Sequence, residues 1–165
     1  MNQIKAQMVS AMIDFYRGST HDIEHFLKVC SYASVIGRLE GLDERTQDIL
    51  EMTAIVHDIS CPLCREKYGN ANGKYQEQES EAILRPFLAP FGLPEDMVER
   101  IIYLVCHHHT YESVEGLDWQ ILLEADFLVN ARQPSYKAEA IRTFRDTVAR
   151  TAVGRQFIDN IYLRE

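Results

Sequence analysis

Residues 118–129 read DWQILLEADFLV. As a buried strand, together with TAIVH at 53–57, this run would imply a mixed protein of sheet and helix, because short apolar runs fit either element. As a helix it joins a chain in which nearly every other segment has three-to-four spacing. Residues 22–40 place Ile23, Phe26, Leu27, Cys30 and Ala33/Ser34 on one face, and Gly41 ends them. Met8, Met12 and Phe15 mark an earlier helix, ended by Arg17-Gly18-Ser19-Thr20. Asp43 is placed to cap a third, with Leu50, Ala54 and His57 on one stripe. Pro94, Glu95 and Asp96 suit the start of a helix whose apolar face is Val98, Ile101, Ile102 and Val105, running into His107-His108-His109. Helical segments are also expected over 136–149 and 151–163. Residues 60–76 are polar and glycine-bearing and read as a loop, while Pro86 should kink or split the segment that resumes near Glu77. Period-two alternation is rare throughout. The expectation is an all-α protein, a single-domain helical bundle.

At 165 residues the chain has the size of one domain, spanning 1–165, and scaling of folded surface gives burial of about 70% of the unfolded chain's area. An internal site therefore needs no disulfides to support it. The longest unbroken apolar run, residues 101–106, is too short to span a membrane. Residues 1–18 lack the charged-then-apolar layout of a signal peptide, so the expected location is cytoplasmic. In that reducing setting Cys30, Cys61, Cys64 and Cys106 are expected as free thiols. The Cys61-Pro-Leu-Cys64 pair lacks a second pair to complete a zinc site. A net charge of −8 with no basic stretch argues against a nucleic-acid duplex as partner. An acidic protein can still take a small anion if a metal reverses the local charge.

The histidines are grouped: His21 and His25, His57, then His107 to His109. His25 has Phe26 and Val29 as neighbours, and His57 shares the stripe of Leu50 and Ala54, so both should face inward. Asp58 follows about 100° further around a helix. Asp126 is surrounded by Leu122, Leu123, Phe127 and Val129. A buried carboxylate requires a compensating charge or strong hydrogen bonds. Two histidines and two aspartates in apolar surroundings are best reconciled by a shared cation.

These residues resemble the H…HD…D signature of the HD-domain metal-dependent phosphohydrolases. His25, His57-Asp58 and Asp126 come in that order, and the local words HDIEHFLKV (21–29), AIVHDI (54–59), IIYLVCHH (101–108) and ILLEAD (121–126) are similar too. The resemblance covers about residues 20–130, with the helices of 136–163 packing on that core. It implies a divalent ion (Mn, Fe, Mg, Co, Ni or Zn), one or two per chain, held by His25, His57, Asp58 and Asp126. His107 and His108 stand where multi-metal members place further ligands, and His109 lies past the matched pair. Where such members supply another histidine, this chain has Gln76, with Glu77 and Glu79 nearby. No Gly-Tyr-Pro follows the histidine run, so the cyclic-dinucleotide branch is not supported.

The activity so implied is hydrolysis of a small phosphoester, a nucleotide or related phosphorylated metabolite, by activated water. Asp58 would both ligate the ion and orient that water, with His108 or Glu77 as the acid or base. Lys28, Arg65, Lys67 and Lys74 are the candidate phosphate-binding residues. The other readings are a diiron oxygenase of the same fold and a metal-stabilised binding or regulatory module. The expected partners are the phosphorylated substrate and, in a homo-oligomer, a second copy of the chain.

Overall fold

The computed structural model describes residues 3–164. Its helices are α1 (Gln3–Phe15), α2 (Thr20–Leu39), α3 (Glu44–Val56), α4 (Cys61–Tyr68), α5 (Gly73–Leu88), α6 (Glu95–Val105), α7 (Leu117–Asn130), α8 (Ala138–Thr147) and α9 (Ala152–Ile158). A 3₁₀ turn at Ala89–Phe91 follows α5, and a π-helical turn at Asp159–Leu163 follows α9. There is no strand among the described residues. The fold is all-α. None of the described helices is long and apolar enough to cross a membrane.

The run that was ambiguous in sequence, 118–129, is the central helix. Every residue from Asp118 to Val129 on α7 is buried, the pattern of a helix surrounded on all sides. α2 packs against it and against α3, α3 also meets α6, and α9 closes on α7 from another side. The 53–57 run likewise lies at the end of α3, not in a strand.

Local chemistry sets the boundaries. Asp43 caps α3, its carboxylate accepting from the amides of Arg45 and Thr46, 3.0 Å each. Pro94 stands at the N-cap of α6, ahead of Glu95 and Asp96 in its first turn. The expected loop over 60–76 is instead mostly helix: Pro62 sits in the first turn of α4, and Gly69, at φ 72°, closes it in the left-handed region. α5 then begins at Gly73 and runs past Pro86 to Leu88 without splitting. Phe15 and Leu27, expected in the core, are exposed. The inward stripe of α2 runs through His25, Phe26, Val29, Cys30, Ala33 and Ile36. All four cysteines are free thiols.

Candidate metal centre

Three elements converge on one point. α2 supplies His25 from its buried side, α7 supplies Asp126, and the C-terminus of α3 delivers His57 followed by Asp58 in the turn leading to α4. That turn is pinned from several directions. The Tyr16 hydroxyl donates to the backbone carbonyl of Asp58 at 2.6 Å, and the Cys61 amide donates to the same carbonyl at 2.8 Å. Ser60 donates to the carbonyl of Gln76, tying the turn to α5.

His25 Nε2 lies 3.1 Å from His57 Nε2, 3.1 Å from Asp126 Oδ1 and 3.2 Å from Asp58 Oδ2. His57 Nε2 stands 3.5 Å from Asp58 Oδ2 and 3.6 Å from Asp126 Oδ1. Two ligands each about 2.1 Å from a common ion are separated by roughly 3 to 4.2 Å, so these spacings suit one cation. His57 Nδ1 is 2.9 Å from the carbonyl of Ala54, which can only accept; Nδ1 therefore carries the proton and the Nε2 lone pair points into the cluster. Asn130, one turn beyond Asp126, donates to its Oδ1 at 2.9 Å and steadies that carboxylate.

Burial disfavours charge on each of these groups, yet the facing opposite charges outweigh it. The Asp126 carboxyl is held well below the usual carboxylate range by His25 and His57, and Asp58 likewise by His57, His108 and His25. The imidazoles of His25 and His57 are raised in turn, His25 by Asp126 and Asp58, and His57 by Asp58 and Asp126.

A second group adjoins the first. His108 is buried, its Nδ1 donates to the Val105 carbonyl at 2.6 Å, and its Nε2 points to Asp58 Oδ1 at 3.5 Å. Ligand atoms of Asp58, His108 and His109 lie within 4.8 Å of one another, as do those of His25, His57 and Asp58. Asp58 thus turns one oxygen to each group. The Nε2 atoms of His108 and His109 and the Oε1 of Gln76 are buried and find no hydrogen-bond partner among the described residues. Orphaned buried lone pairs of this kind are what a bound cation satisfies.

The histidine run is placed otherwise than the sequence suggested. His107 lies outside the cluster: its Nδ1 donates to the Tyr103 carbonyl at 2.7 Å, and its ring packs on Tyr103 and Trp119. His109 takes the inward place, pushed down to a pKa of about 4 by burial and by His108. α6 ends at Val105, so the turn that follows, not the helical period, sets where each ring points. A Cβ at Gly73 would run into the His109 ring, which is why α5 starts with glycine there. Glu77 Oε1 accepts from the His109 amide and the Thr110 hydroxyl, 3.1 Å each, and so holds this turn.

A scan against family models matches the HD domain over residues 22–149. The chain belongs to the HD domain family. No curated protein gives a significant match. The HD domain frame accounts for the order in which His25, His57, Asp58 and Asp126 arrive at one point, and HD domains bind divalent metals. The donor set fits such an ion: imidazole nitrogens with fixed tautomers, two carboxylates, and orphaned lone pairs beside them.

Of the cations expected to hold phosphate, Lys28 lies beside this HD centre, lining a pocket that includes His25. Arg65 is committed elsewhere, gripping Asp22 through two bonds of 2.8 and 2.6 Å. Lys67 pairs with Glu79 at 2.6 Å. Lys74 is exposed on the first turn of α5 and does not line the pocket beside His25. Tyr16, Asn130 and Arg132, none singled out from sequence, support or border the site. Only Asn130 had a readable signal, at four residues from Asp126 on a helix.

Proposed function

We propose that this chain is a metal-dependent phosphohydrolase of small phosphoesters, nucleotides among them. The supporting observation is a convergent donor set. Two carboxylates and the ring nitrogens of His25, His57 and His108 converge with the lone pairs of His57 and His108 directed inward, in a chain whose net charge would otherwise repel an anionic substrate. The chemistry a divalent ion supplies is acidification of water toward neutral pKa and neutralisation of phosphoryl oxygen charge.

In this reading His25, His57, Asp58 and Asp126 hold the ion, with His108 and His109 completing a second position on the other oxygen of Asp58. Asp58, partly exposed and shared between the two groups, orients the attacking water. Where only the first position is filled, the free Nε2 of His108, 3.5 Å from Asp58 Oδ1, is the group placed to take a proton. Glu77 positions the His109 turn, and Lys28 binds the phosphoester on the open side of His25.

The test is turnover of a broad phosphoester panel by purified protein, stripped with chelator and reloaded with Mn²⁺, Mg²⁺, Co²⁺ or Fe²⁺. Activity should vanish on chelation and return with metal. Asp58→Ala should lower kcat by about 10²-fold or more while the helical circular dichroism persists. A metal-loaded protein that hydrolyses nothing in the panel would overturn the proposal.

A further inference from the structure

A pocket of about 330 Å³ opens beside the metal centre. One wall is a single face of α2, with His21, Glu24, His25 and Lys28 at helical spacing. The other comes from the end of α7 and the turn after it, with Asn130, Arg132 and Gln133. Its inner end belongs to the centre itself: His25 faces Asp58 and Asp126, and Asn130 is hydrogen-bonded to Asp126. The turn is built, not loose, since the Gln133 amide donates to the Asn130 carbonyl and the Tyr136 amide to the Gln133 carbonyl, 3.0 Å each.

The lining is unusual for an acidic chain. Two fixed cations, Lys28 and Arg132, face one carboxylate, Glu24. Lys28 pairs with Glu24 at 2.6 Å, but that contact is an exposed pair one turn apart, and such pairs exchange readily for a better acceptor. Arg132 is exposed and makes no ion pair among the described residues, and its planar fork suits a phosphate oxygen pair. The amides of Asn130 and Gln133 add neutral donors. No Phe, Tyr or Trp lines the pocket; its only rings are the imidazoles of His21 and His25, which lie nearly parallel to each other.

We propose that this pocket receives a second phosphate group of the substrate, so that the preferred substrate is a compact bisphosphorylated molecule with one phosphate at the metal centre and the other between Lys28 and Arg132. This rests on the phosphohydrolase reading for the first phosphate and adds the class of the remainder. The reacting phosphate is oriented by the anchoring of the far one, and selectivity lies in Arg132, beyond the HD signature residues.

Equilibrium binding tests it without turnover. The Mn²⁺-loaded chain is titrated with two non-hydrolysable probes of one skeleton, propylphosphonate and propane-1,3-diphosphonate. The diphosphonate should bind at least tenfold tighter, and in Arg132→Gln that ratio should fall to near one. Arg142→Gln, the same charge change on α8 outside the pocket, should keep it. A ratio near one in the native chain, or a tenfold ratio that survives in Arg132→Gln, would overturn the proposal. Hydrolysis of the broad phosphoester panel, with propane-1,3-diyl bisphosphate included, is measured separately. Its absence alongside a large binding ratio would sink the phosphohydrolase reading and leave the pocket assignment standing, whereas hydrolysis with equal affinities would do the reverse.

Discussion

Glu124 and Asp126 are two residues apart on the same buried helix, and they face opposite circumstances. Glu124 is wholly enclosed and saturated: it accepts from Gln120 Nε2 at 2.7 Å, from the Arg150 amide at 2.7 Å, from the Thr151 amide at 3.0 Å and from the Thr151 hydroxyl. Those donors fix the entry to α9, and the carboxylate has no capacity left for a ligand. Asp126 has one amide donor, from Asn130, and otherwise looks at the ring nitrogens of His25 and His57. A buried carboxylate ringed by fixed donors completes the fold. One ringed by lone pairs that can be protonated or metallated leaves its charge to be answered from outside. The same contrast recurs at Glu51, whose oxygens are taken by Lys5, Gln47 and Ser34.

The sharpest way to break this contrast is to delete each carboxylate in turn. Glu124→Ala should destabilise the chain by about 3 to 5 kcal/mol in denaturant unfolding, since it strands buried amides and leaves a void. Metal content per folded chain should not change. Asp126→Ala should cost the metal-free chain less than Glu124→Ala does, because the facing His25 and His57 rings can release their protons, while it removes the stabilisation that metal gives, about 2.7 kcal/mol at a hundredfold excess over Kd. Equal losses of stability in metal-free protein would erase the distinction.

The titration of the two regions sharpens it next. Without metal, the raised His25 and His57 groups contribute stability that is full below their ordinary pKa and fades as pH rises through the raised values. The depressed Asp58 and Asp126 groups contribute stability that is present above the ordinary carboxylate range and fades as pH falls through the lowered values. With saturating Mn²⁺ the upper limb should invert, because metal needs the rings deprotonated and gains affinity as pH rises. Unfolding curves taken between pH 5 and 8 should converge at the acid end and diverge upward. Parallel curves with and without metal would speak against His25 and His57 as ligands.

The smallest effect is expected at Cys61 and Cys64. Both are buried, and burial raises both thiols, so they stay protonated and inert at neutral pH. Replacing both with Ser should leave metal per chain unchanged; elemental analysis that found the metal gone would give α4 a role in the centre.

Much of this arrangement was legible in the chain. His25 and Asp126 stand within apolar helical patterns and His57 at the end of one, and helical periodicity is what carries a side chain inward; Asp58 follows in the turn after α3. Legibility failed where position depends on something other than period. His107 and His109 sit beyond the last turn of α6, and their directions follow from the turn and from contacts with Tyr103, Glu77 and Gly73. Arg65 and Lys67 looked available because their acceptors, Asp22 and Glu79, lie 43 and 12 residues away. α4 was hidden by its polar composition, although Pro62 and Gly69 mark its two ends. Arg132 had no pattern to announce it, since a turn residue reaches its pocket only after α2 and α7 have packed.

The central claim is that the lone pairs gathered around Asp126 exist for a divalent ion. Elemental analysis of chelator-stripped, Mn²⁺-reloaded and desalted protein, native beside Asp126→Ala, tests it most directly. The native chain should retain at least one equivalent of Mn²⁺ per chain, and Asp126→Ala well under a tenth of that while keeping its helical circular dichroism. Equal retention by the two, or none by the native chain, would contradict the account.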